Sequence, residues 1–205
     1  MKKFVLLAIL AVFVYSCGKG PIHVATTESE AMKRGYGDPK LQELYDRNEG
    51  LLKDIYLRFT KANVNIYKEG IGLSLLTDRQ NEKLPYIMVN IRPQEIVFDE
   101  SSSKPNARFS QVLQTYVRKY VGYIKKEDLD RPGVEGLAFG VYWPVRDYSQ
   151  CNTYGGFIEY IHVYMPKVEL YDLLDGRETF EEAVNHSEVV ASLNLGEATS
   201  IKPVF

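Results

Sequence analysis

Cysteine, histidine and tryptophan are scarce in this chain: two, three and one among 205 residues. With so few cysteines no disulfide framework holds the fold. The histidines, His23, His162 and His186, stand one to a region. Neither His-x-x-x-His nor Cys-x-x-Cys spacing occurs, so the sequence offers no metal site and no cofactor motif. Basic clusters are missing too. No Lys/Arg run exceeds two residues, and 27 acidic side chains outnumber 25 basic ones. Nucleic acid is therefore not an expected partner, because phosphate binding needs a concentrated basic face. No apolar run approaches the roughly 20 residues that cross a bilayer as a helix. The longest, Phe4 to Val14, has eleven. Gly-x-Ser-x-Gly, the phosphate-cradling glycine loop and His-Glu-x-x-His are all absent.

What is present begins at the N-terminus. Lys2 and Lys3 precede the apolar run Phe4–Val14, and Tyr15, Ser16 and Cys17 follow it. A charged segment, a short apolar segment and a small residue before a cut form the layout of a secretory signal. The order Val14-Tyr15-Ser16-Cys17 resembles the lipobox of bacterial lipoproteins, with Tyr15 standing where a smaller residue is usual. The resemblance covers this segment alone. It implies cleavage after Ser16, a diacylglycerol thioether on Cys17 and an acylated new N-terminus. Two or three acyl chains would hold the protein on a membrane, since one chain anchors only marginally. Gly18 follows the cysteine, which in Gram-negative lipoproteins implies export to the outer membrane, facing the periplasm. Loss of Lys2 and Lys3 with the leader takes the formal net charge from −2 to −4. Cys151 is then left without an internal disulfide partner.

Three regions follow from this reading: a signal peptide over 1–16, a lipidated cysteine and glycine-rich tether over 17–37, and one globular domain over 38–205. Within the domain, Asp38-Pro39 predicts a helix start. Leu41, Leu44, Tyr45, Leu51, Leu52, Ile55, Tyr56 and Phe59 carry helical spacing to about residue 61. Alternation around Val64 and Ile66, over Ile71–Leu75 and over Ile87–Ile91 predicts strands, with 78–83 as a hairpin loop. Phe109, Val112, Leu113, Tyr116, Val117, Tyr120, Val121 and Ile124 predict a second long helix. Strands are expected again over 137–145 and 157–163, and Thr179-Phe-Glu-Glu182 matches a capping box. The fold class expected is α+β: an antiparallel sheet of about five strands with two main helices on one face. Tyr86–Pro93 and Tyr160–Pro166 echo each other, as a degenerate duplication of a helix–strand–strand unit would. Shared strand composition explains the echo equally well.

Two patterns bear on catalysis. Ser101-Ser-Ser-Lys104 has the Ser-x-x-Lys spacing of penicillin-recognising enzymes, but its partner motifs are absent and it reads as a polar loop. Cys151 precedes the strand bearing His162, so a thiol–imidazole pair would make a cell-envelope hydrolase. Glu159 lies on the opposite face of that strand and cannot orient the same imidazole. An internal apolar cavity would instead mark a carrier of apolar ligands. The strongest signal is aromatic: 15 tyrosines, with Tyr142, Tyr148, Tyr154, Tyr160 and Tyr164 close together. Alternation gives Trp143 to the core and lets Tyr142, Tyr160 and Tyr164 share the other face. Tyrosine suits surfaces that are half apolar and half wet. The expected function is therefore non-enzymatic: a membrane-anchored envelope protein that binds a protein or glycan partner through this face, without a cofactor.

Overall fold

The computed structural model describes residues 24–77, 81–146, 157–192 and 198–205. Cys17, Tyr148, Cys151 and Tyr154 lie outside them. Helices α1 (Glu28–Ala31) and α2 (Pro39–Lys61) precede a hairpin of β1 (Ile66–Thr77) and β2 (Lys83–Ile91). The two-residue strand β3 (Phe98–Asp99) leads to α3 (Pro105–Val112), a π-helical turn (Leu113–Val117), α4 (Arg118–Val121) and α5 (Lys126–Leu129). A second hairpin, β4 (Gly136–Arg146) and β5 (Phe157–Pro166), is followed by α6 (Lys167–Leu174), α7 (Phe180–Asn185), β6 (Glu188–Ser192) and β7 (Thr199–Ser200).

The strands form one sheet in the order β1-β2-β4-β5-β6-β7, and β3 pairs with β4 beyond the end of β2. Most pairs are antiparallel, as expected of the α+β class, but β2 and the short β3 both run parallel to β4. The reason lies in the connection: α3 to α5 carry the chain back across the sheet, which is what a parallel pair requires. The runs around Ile66 and over Ile71–Leu75, expected as separate strands, belong to one strand, β1, whereas β6 and the two-residue β3 and β7 are not among the strands the sequence predicts. The two echoing segments fall on β2 and β5, which flank β4 on opposite sides and run in opposite directions.

Helix α2 forms where its cap and apolar stripe place it. The Asp38 carboxylate accepts from the Lys40 and Leu41 N–H groups, and Pro39 fills the first helical position. Leu41, Leu44, Tyr45, Leu52, Ile55 and Phe59 are buried against the sheet. Each large side chain of this kind contributes roughly 1.5–3 kcal/mol when fully buried. The second long helix is interrupted by its π turn, yet it buries the expected Phe109, Val112, Leu113, Val117, Tyr120 and Val121. Both helices join α6 and α7 in one apolar cluster with Ile87, Val89, Phe139, Val141, Trp143, Ile161 and Val163. That cluster covers one face of the sheet.

The same layer contains a charged group. Glu159 is fully buried and accepts from Arg108 Nε (2.7 Å), from Arg108 Nη2 and from Trp143 Nε1 (2.9 Å). Arg108 also donates to the Ser103 carbonyl. The pair ties α3 and the loop before it to β5.

Residues 24–36, expected as part of the tether, instead run along the outer edge of β1. The Ala25 N–H donates to the Ile66 carbonyl (2.9 Å) and the Lys33 N–H to the Ile71 carbonyl (2.8 Å). The Leu73 N–H donates to the Tyr36 hydroxyl (2.7 Å), while Ala31 and Met32 are buried. Glycine content alone suggests flexibility. The unpaired groups of an edge strand supply a reason for order that composition does not show.

Candidate functional site

Strand pleat and register decide which side chains share the second face. Opposed residues in a sheet point the same way, and alternate residues point to opposite faces. Met88, Ala138 and Tyr164 lie in one row, Asn90, Gly140 and His162 in the next, and Tyr142 and Tyr160 beyond them. On β1, Gly72 pairs with Met88 and Ser74 with Tyr86, extending the rows outward. Val190 stands beside His162, and Ser192 beside Tyr160. Among the described residues no helix packs on this face, because α2 to α7 join the cluster on the other.

The aromatic rings form a continuous ladder. Tyr67 stacks on Tyr142 with centroids 4.0 Å apart, and Tyr142 meets Tyr160 at 5.1 Å. His162 lies 5.1 Å from Tyr160, 5.5 Å from Tyr142 and 6.3 Å from Tyr164. Tyr86 closes the row edge-on to Tyr164 at 5.6 Å. Polar tips are joined along the row: His162 Nε2 to the Tyr142 hydroxyl (3.0 Å) and Ser74 Oγ to the Tyr164 hydroxyl (3.2 Å). Tyr67, Tyr142, Tyr160, His162 and Tyr164 are half-buried, while Tyr86, Met88 and Asn90 form the buried floor.

Small residues under the ladder let the rings sit low. A Cβ on Gly140 would come within 2.2 Å of Asn90 Oδ1 and 2.7 Å of the His162 ring. Only glycine permits that approach. Asn90 Oδ1 is itself buried without a hydrogen-bond partner among the described residues. Such a group costs about 1–3 kcal/mol while unpaired.

Charges stand at the margin of the face: the Arg92 cation acts on Tyr67 and the Glu135 carboxylate on Tyr86. Burial pushes His162 down to about 4 from its ordinary 6.5, so the imidazole is neutral near pH 7. Burial, reinforced by the neighbouring Tyr67 and Tyr160, pushes the Tyr142 phenol well above its ordinary 10. Tyr67 and Tyr86 are raised by the same cause. These phenols keep their protons across the physiological range. Glu188, opposite Tyr164 on β6, brings a further carboxylate to the margin.

The structure thus brings Tyr142, Tyr160 and Tyr164 together on the face that alternation assigned to them, and puts Trp143 in the core. Tyr148 and Tyr154 lie outside the described residues, and so does Cys151, the thiol of the hydrolase alternative. Tyr67, Tyr86 and Asn90 are site residues that sequence reading missed. Tyr67 follows a β1 irregularity between Ile66 and Ile71 that shifts register, so simple alternation does not align it with Tyr142. Clefts where 24–26, 63–66 and 92–97 meet, about 340 and 430 Å³, open to solvent and include Asn65, Arg92 and Gln94. Comparison of the chain with protein-family models, with curated proteins and with solved structures finds no match.

Proposed function

We propose that this protein is a binding module of the bacterial cell envelope, held on a membrane through acyl chains on Cys17, whose tyrosine ladder takes an uncharged glycan. The observation that carries the reading is the ladder itself: five tyrosines and a neutral histidine in ring contact on one sheet face that no helix among the described residues covers. A sugar ring is amphipathic in the same way as tyrosine, with C–H faces and a hydroxyl rim. Aromatic rings accept such faces, and phenol, imidazole, serine and amide groups match the hydroxyls. The His162 imidazole and the Tyr142 phenol, both neutral near pH 7, favour an uncharged group above them, because a charged one would lose hydration there.

Affinity for immobilised neutral polysaccharide tests the surface. Retention is expected, with Tyr142→Ala or Tyr160→Ala weakening it about two- to tenfold, in line with the ~0.5–1.5 kcal/mol that one aromatic pairing contributes. Absence of retention, equal retention of the variants, or stronger binding to anionic polysaccharide would overturn it. The anchor has a separate test. Fatty-acid labelling in cells is expected to vanish in Cys17→Ala, and unchanged labelling refutes lipidation there.

A further inference from the structure

On the helical side of the molecule, three metal-ligating side chains converge at the corner between α6 and α7. Glu169 lies in the first turn of α6, Glu178 just before the Thr179 cap of α7, and His186 at the C-cap of α7. His186 Nδ1 is 3.2 Å from Glu169 Oε2 and 3.5 Å from Glu178 Oε1. One ligand atom from each of the three lies within 4.8 Å of the others. We propose that Glu169, Glu178 and His186 bind a divalent transition-metal ion, with zinc the best match.

Geometry supports this first. Tetrahedral zinc with bonds of about 2.0–2.1 Å places neighbouring ligand atoms about 3.4 Å apart. The two measured separations bracket that value. Hydrogen bonding supports it next. Nδ1 can carry one proton, and two carboxylates face it, so an imidazole–carboxylate pair satisfies one acid and leaves the other. Glu178 Oε2 is buried with no hydrogen-bond partner among the described residues. The adjacent cation does not supply it, because Arg177 is engaged with Asp172 (2.5 Å) and Asp175 (3.0 Å). A cation shared by Nδ1 and both carboxylates answers all three groups at once. The imidazole then serves as a neutral ligand.

A mixed nitrogen and oxygen donor set selects zinc and its neighbours over calcium and magnesium, which take oxygen ligands. His186 is 56% exposed, which leaves the ion an outward side open to solvent. The three residues come from separate stretches of sequence, which is why histidine spacing gives no hint of them.

Titration calorimetry of the purified protein with zinc chloride tests the site, with calcium chloride as the contrast. One zinc per chain is expected, with affinity on the order of micromolar and no comparable heat from calcium. His186→Ala and Glu178→Gln are expected to weaken zinc by about tenfold or more each. Cobalt chloride is expected to give visible ligand-field bands in the wild type and to lose them in both variants. Absence of zinc binding, calcium binding of equal strength, or unchanged affinity in the two variants would overturn the proposal. His186 is largely exposed and Glu178 sits in a loop, so both variants keep the fold against which the loss is read.

Discussion

Glu159 is a carboxylate in the middle of an apolar layer, and it persists there because Arg108 and Trp143 answer both of its oxygens. Removing one member of such a pair leaves the other buried and uncompensated. Glu159→Gln is expected to cost about 3–5 kcal/mol, read as a lowered urea midpoint. A midpoint matching the wild type would show that the pair contributes nothing. The strand period places Glu159 away from His162, and that much is legible in the sequence. Its partner is not, because an arginine at the start of an amphipathic helix looks like a solvated boundary residue. His162 carries the second expectation at this scale. Between pH 6.5 and about 4 the unfolded chain takes up a proton that the folded imidazole refuses. Stability therefore falls as pH drops through that window, by up to ~1.4 kcal/mol for each unit, and is full above it. Urea midpoints at several pH values are expected to show a shallower slope in His162→Gln. Equal slopes in the two proteins would refute the assignment.

At the scale of elements, what can be read from sequence is set by local rules. The α2 boundaries follow from Asp38-Pro39 and a continuous apolar stripe, and the α7 start from the Thr179 capping box. Asp38→Ala is expected to cost about 1 kcal/mol, seen as a lower thermal midpoint. The hairpins are also visible, because their alternation is local. The parallel pairing of β2 with β4 is not, since it depends on where the intervening helices return the chain. The π turn at Leu113–Val117 is hidden for a different reason: one extra residue in a turn changes phase by less than the width of the buried stripe. The glycine at 140 belongs here too. Gly140→Ala would drive a methyl into the Asn90 amide and the His162 ring, so the ladder would have to lift. Near-ultraviolet circular dichroism is expected to lose tyrosine signal while the far-ultraviolet spectrum holds, and an unchanged near-ultraviolet spectrum would show that the ladder does not depend on that glycine.

For the molecule as a whole, the two faces of the sheet divide the work. One carries the apolar cluster that stabilises the fold, and the other displays rings that the cluster does not require. Substitutions on the ladder can alter a surface without emptying the core. Edge protection is likewise a property of the whole, because residues 24–36 shield β1 from other chains. Removing the chain through residue 36 is expected to cause self-association that grows with concentration on a sizing column. A truncated protein that stays monomeric would argue against that role.

The strap along β1 also has a mechanical meaning. Any pull arriving from upstream of Val24 meets the bonds at Ile66, Ile71 and Leu73, and the buried Ala31 and Met32 between them, before it reaches α2. Those few links can part in sequence, like stitches in a seam. Once they are released, residues 24–36 can extend to a reach of about 45 Å, at the ~3.3–3.6 Å that each extended residue adds. Under load, the leash lengthens first and the folded body yields last.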